Sequence, residues 1–193
     1  MFPTPIIILL IVAAGPALSK IEPPLGCVHI ENIAYRRFLF AGQYQSGYDR
    51  NVNFDNWERV VDKEWVLERS GKEYRIYTVK YQIAPMYLLV NRATQVDNNR
   101  RQVHLSAFVN STREMSWKIE DQKNGYFAIQ NKDLKEYLYA GEQKYDIPYG
   151  CLRPYENWKT NSSICRSVGQ VFTWKGTNPK KLGHEFQWKI HSC

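Results

Sequence analysis

The 193-residue chain has little of what marks metal binding, catalysis or membrane insertion. Its 4 histidines, His29, His104, His184 and His191, are scattered and make no close Cys or His spacing, so no metal and no other cofactor is expected. A Gly-x-Ser-x-Gly elbow and a phosphate-cradling glycine loop are both missing, and Asp and Glu are dispersed; an enzyme is therefore not expected. The apolar run from Ile6 to Ala14 falls far short of the roughly 20 residues that a bilayer-spanning helix needs, and no later stretch is a better candidate. Acidic residues are also in deficit, since 19 Asp and Glu face 26 Lys and Arg for a formal charge of +7. Such a surface attracts polyanions at low salt.

What is present begins with the early apolar run. It is followed by Gly15-Pro16-Ala17-Leu18-Ser19, whose small residues suit a signal peptidase, and nothing charged occurs before Lys20. Residues 1–19 are read as a removed secretory signal, which leaves residues 20–193 as a single domain with its positive charge intact. For a secreted chain the polyanions within reach are sulfated glycans, cell surfaces and acidic proteins; intracellular nucleic acid is not an expected partner. The 4 cysteines are an even number in a chain bound for an oxidising compartment, which predicts two disulfides. Three pairings are possible. The expected one joins Cys151 to Cys165 across a short local loop, and Cys27 to Cys193 between the first predicted strand and the last residue. Asn110-Ser111-Thr112 and Asn161-Ser162-Ser163 are glycosylation sequons in polar stretches, so Asn110 and Asn161 are candidate acceptors.

One phrase occurs three times: Trp65-Val66-Leu67-Glu68, Trp117-Lys118-Ile119-Glu120 and Trp188-Lys189-Ile190-His191. Each alternates apolar with polar, the period of a strand with one buried face. A second phrase recurs as Phe38–Gly42, Tyr87–Asn91 and Tyr137–Gly141, and a third as Val28–Asn32, Tyr74–Thr78 and Phe127–Asn131. Their order never changes. Room remains for one further strand per unit, such as Asn51–Phe54 and Val103–Ser106. Three four-stranded units over about residues 27–70, 71–122 and 123–193 predict an all-β fold of the β-trefoil kind. The third unit carries an insertion, and two placements are open. Either its third strand lies near Tyr149–Arg153 with an insertion at about 159–184, or Val171–Trp174 is that strand and the insertion precedes it.

With these phrases the chain resembles the β-trefoil families, and among them the short secreted trefoils of insects: mosquito salivary proteins rich in cysteine and tryptophan, and the trefoil half of lepidopteran haemolymph lipoproteins. Ricin-type trefoils carry Gln-x-Trp in each unit, whereas here Lys63, Met115 and Phe186 stand two positions before the repeated Trp. The ricin-type galactose pocket is accordingly not carried over. The repeated Trp65, Trp117 and Trp188 are read as core; Trp57, Trp158 and Trp174 lie outside the repeated position and are better placed to meet a ligand, although a structural role is the first expectation for them too. Fibroblast growth factors, also trefoils, bind heparin through basic loops late in their third unit. Similarity to them implies a glycosaminoglycan role for the cation pairs here, which puts forward Arg100, Arg101, Lys175, Lys180 and Lys181 as ligands for an anionic glycan. Arginine supplies paired hydrogen bonds to sulfate and lysine a point charge. The expectation is a secreted binding protein without catalysis. The alternative is an extracellular protein-binding trefoil, a protease inhibitor or a ligand of a receptor or clotting factor, presenting the inserted segment.

Overall fold

The computed structural model describes residues 20–46, 49–55, 63–80, 84–109, 112–141, 169–176 and 183–193. Their regular structure is twelve strands and a 3-10 turn at His184–Phe186. The first repeat supplies β1 (Gly26–Asn32), β2 (Arg37–Ser46), β3 (Asp49–Asp55) and β4 (Trp65–Ser70). The second supplies β5 (Glu73–Thr78), β6 (Met86–Gln95), β7 (Arg100–Ser106) and β8 (Trp117–Asp121), and the third β9 (Phe127–Asn131), β10 (Tyr137–Gly141), β11 (Gly169–Trp174) and β12 (Trp188–Ser192).

Six strands close a barrel through the antiparallel pairs β1–β4, β4–β5, β5–β8, β8–β9, β9–β12 and β12–β1. The other six form the hairpins β2–β3, β6–β7 and β10–β11. Their second strands pair among themselves as β3–β7, β7–β11 and β11–β3, a triangle that caps the barrel. This is a β-trefoil. Of the two placements left open for the third repeat, a strand does form at Val171–Trp174, where Val171 and Phe172 are buried and β11 pairs with three hairpin strands; Tyr149–Arg153 lies outside the described residues.

The period-two alternation explains the strands. In β4 Trp65 and Leu67 are buried while Val66 and Glu68 reach toward solvent, and β8 repeats this with Trp117 and Ile119 inside and Lys118 exposed. Trp65, Trp117 and Trp188 are all fully buried, as expected for core. Each indole N–H donates to a main-chain carbonyl of its own repeat: Leu39 at 2.9 Å, Leu88 at 2.9 Å and Leu138 at 3.2 Å. The largest side chains thus tie each barrel strand to its hairpin without leaving a polar atom unpaired.

A second threefold device closes β1, β5 and β9. Asn32 accepts from the Ala34 N–H at 3.1 Å and donates to the Glu185 carbonyl at 2.9 Å. Asn131 accepts from the N–H groups of Asp133 and Leu134 and donates to the Glu114 carbonyl at 3.2 Å. Thr78 holds the corresponding place and accepts from the Lys80 N–H. These short polar side chains start the turn, and the two Asn side chains also pin it to the segment ahead of a repeated Trp. Cys27 and Cys193 form a disulfide with Cα atoms 5.4 Å apart, locking the first strand to the last residue as expected. Cys151, Cys165, the sequon asparagines Asn110 and Asn161, and residues 1–19 lie outside the described residues.

Candidate functional site

The cation cluster expected from the sequence is partly assembled by the hairpin triangle. β7 runs antiparallel to β11 with Arg100 opposite Trp174 and Arg101 opposite Thr173, and the Lys175 N–H donates to the Asn99 carbonyl at 2.8 Å. Arg100, Arg101 and Lys175 therefore meet at one end of a strand pair. Lys180 and Lys181 lie outside the described residues.

The three described cations have different surroundings. Lys175 is exposed. Arg100 donates to Asp97 at 2.6 Å and lies 5.1 Å over the Phe172 ring, which fixes its guanidinium plane at the surface. The Asn99 backbone N–H and then Arg100 hold the Asp97 carboxyl below its ordinary range. Arg101 turns inward. Its Nε donates to Glu136 at 2.8 Å and a terminal nitrogen donates to the Arg92 carbonyl at 3.0 Å. The other Glu136 oxygen accepts from the Thr173 hydroxyl at 2.7 Å. With the Glu136 side chain 4% exposed, Arg101 is the counterion of a buried carboxylate, a role that its sequence neighbourhood does not reveal.

Beside this edge lies a concavity that the sequence reading missed. A cleft of about 560 Å³ opens between the first and second repeats, lined by Asp49 of β3, Asn91 and Arg92 of β6, His104 and Ser106 of β7, and Phe108 and Glu114 of the following segment. Phe108 is 67% exposed, a large aromatic surface for a side chain with no obligation to face water. Arg92 is paired with Glu114 at 3.5 Å and with Asp133. Ser106 accepts from the Phe108 N–H at 3.1 Å, and Asn91 accepts from the Ala93 N–H at 3.0 Å. Burial pushes the His104 imidazole below its ordinary value, against the pull of Asp49 and Glu114, so the ring is neutral at pH 7. Its Nδ1 is buried with no hydrogen-bond partner among the described residues. The two carboxylates come from different repeats, and only the β3–β7 pairing brings them to one site.

Trp174 takes the structural role that is the first expectation for it, packing against Tyr139 at 4.9 Å and Phe186 at 6.2 Å between ring centroids. Together with Tyr137 and Ala128 these rings form a small second core. Trp57 and Trp158 lie outside the described residues.

No protein-family model matches this sequence, and no curated protein sequence matches it. Solved structures do match its fold. A salivary protein from Culex quinquefasciatus of the cysteine- and tryptophan-rich family superposes with a TM-score of 0.62 at 21% identity, covering 92% of this chain and 100% of that one. The designed threefold-symmetric protein ThreeFoil gives 0.59 at 12% identity, with 87% and 99% covered. SeviL, solved with an asialo-GM1 saccharide, gives 0.52 at 15% identity, with 88% and 98% covered. At these identities the likeness establishes the trefoil fold and leaves function to the residues.

Proposed function

We propose that this chain is a secreted, non-catalytic glycan-binding protein that captures anionic, glycosaminoglycan-like chains at the end of β7 and β11. The observation that supports this best is the meeting of Arg100 and Lys175 across that strand pair, with Lys180 and Lys181 following within a few residues. The ion pair of Arg100 with Asp97 is surface-exposed, and such pairs are worth little, so a sulfate displaces Asp97 at small cost. The guanidinium fork then meets two sulfate oxygens while the lysines add field. Arg101 contributes by holding the edge in shape rather than by touching the glycan. Secretion is in keeping with the Cys27–Cys193 disulfide, which persists in oxidising compartments. A saliva protein and a saccharide-bound lectin among the fold neighbours fit the same reading.

The test compares elution of the mature protein from heparin and from a sulfonate cation exchanger under one salt gradient. Later release from heparin is expected, and simultaneous replacement of Lys175, Lys180 and Lys181 by Ala abolishes the difference. Equal or earlier release of the wild type from heparin would reduce the charge to a generic one and direct attention to protein partners.

A further inference from the structure

We infer that Asn124 is a site of spontaneous covalent modification, at which the side-chain amide cyclises onto the Gly125 nitrogen and reopens as aspartate or isoaspartate. The inference does not rest on the glycan-binding reading and uses none of its side chains, so the two fail independently.

The turn between β8 and β9 supplies the geometry. Asp121 stands opposite Phe127, and the Gln122 N–H donates to the Tyr126 carbonyl at 2.9 Å, so Lys123, Asn124 and Gly125 form the tip. Asn124 and Gly125 are both exposed. The Asn124 Oδ1 accepts from the Tyr126 N–H at 3.3 Å, which folds the side-chain amide back over the Gly125 nitrogen between them. The Gly125 N–H itself donates to no group among the described residues. The same bend occurs at Asn32, Asn91 and Asn131, each of which accepts from the N–H two residues on. Their successors are Ile33, Arg92 and Lys132, whose Cβ groups crowd the nitrogen that would attack, and Asn32 and Asn131 are buried as well. Of these four, Asn124 alone combines the bend with full exposure and a successor that has no Cβ, and Asn-Gly occurs once in the chain.

The reaction needs only water and base. Once solvent base has taken the Gly125 amide proton, that nitrogen attacks the Asn124 Cγ and a C–N bond forms. Negative charge gathers on Oδ1, where the Tyr126 N–H already stands as the donor that stabilises an oxyanion. The bond from Cγ to Nδ2 then breaks, and the departing nitrogen takes a proton from water and leaves as ammonia. Water adds to the cyclic imide at Cγ to give aspartate, or at the main-chain carbonyl carbon to give isoaspartate. Either product carries a new carboxylate, so the formal charge of +7 falls by one. β8 begins and β9 ends beside the hairpins, so their shared turn lies at the far end of the barrel and Arg100 and Lys175 keep their surroundings.

The experiment ages the mature protein at body temperature, at neutral and at mildly alkaline pH, folded and in urea, beside Asn124→Ser. Peptide mass spectrometry locates the amide turned acid, labelling by an isoaspartyl methyltransferase identifies the isomer, and a sulfonate exchanger separates the forms by charge. Asn124 is exposed at a turn tip, so the Ser variant is expected to melt with the wild type, which a thermal scan checks. The expected result is conversion of Asn124 ahead of every other asparagine, as fast in the folded chain as in urea and faster at the higher pH, with an earlier-eluting peak that Asn124→Ser lacks. The inference is overturned if another asparagine converts while Asn124 stays intact, if Asn124 converts only in urea, or if the Ser variant develops the same peak.

Discussion

Replacing Arg101 by Ala is expected to destabilise the fold while leaving glycan capture largely in place. In the folded chain Glu136 is 4% exposed and Arg101 20% exposed at the side chain, and Glu136 is met by one guanidinium and one hydroxyl. Breaking a buried ion pair from one side costs about 3–5 kcal/mol because the other charge stays buried without its partner. Part of the Arg101 side chain reaches water, which screens the pair and places the loss near the lower end, at about 3 kcal/mol. With a urea slope of about 2 kcal/mol per molar, the unfolding midpoint falls by about 1.5 M at unchanged slope. Replacing Arg101 and Glu136 together by Met removes both charges and costs less than the single change, which a double-mutant cycle reads directly. A midpoint within about 0.2 M of wild type, together with earlier release from heparin, would refute the reasoning and return Arg101 to the ligand set.

The other expectations are simpler. Burial, and for His29 also Lys63, lowers the pKa of His29 and His104 from the ordinary 6.5, so the unfolded chain takes up protons that the folded rings refuse. Stability is then full above about pH 6.5 and declines as pH falls toward the folded values, which melting temperatures across pH 7.5 to 5 reveal; His29→Gln with His104→Gln flattens that slope. Removing the Cys27–Cys193 bridge by Ser substitutions opens a closure of 166 residues, for which the loop-entropy relation gives about 5 kcal/mol, measured by denaturation with and without reductant. Each of Trp65→Phe, Trp117→Phe and Trp188→Phe leaves a buried carbonyl without its indole partner in an equivalent setting. Losses of about 1–3 kcal/mol, similar at the three sites, are expected, and a strong inequality in chemical denaturation would deny the threefold equivalence.

The trefoil was legible because its signal is local and repeated. Trp-x-apolar at β4, β8 and β12 announces a buried strand each time, and the accompanying phrases fix the order of the elements. The turn device was half legible: Asn32, Thr78 and Asn131 close the third phrase, but the bonds of the two Asn side chains to Glu185 and Glu114 depend on the segments before Trp188 and Trp117, which the phrase itself does not contain. The candidate site was the least legible. Adjacent arginines read alike in sequence, yet strand alternation and β7–β11 pairing send Arg100 over Phe172 at the surface and Arg101 to a buried carboxylate. Asp49 and Glu114 belong to different repeats and carry no shared pattern, so the cleft exists only once the hairpins pair. Trp174 breaks the repeat, so its partners were not legible in the phrases, and they prove to be an aromatic cluster of the third repeat.

The measurement that bears most directly on the central claim is the affinity of a heparin oligosaccharide for wild type and for the Lys175→Ala, Lys180→Ala, Lys181→Ala variant over a range of salt concentrations. Each cation that touches the polyanion adds about one to the slope of log affinity against log salt, so the account predicts a slope lower by about three in the variant, with weaker binding at low salt. Parallel lines of equal affinity would contradict it.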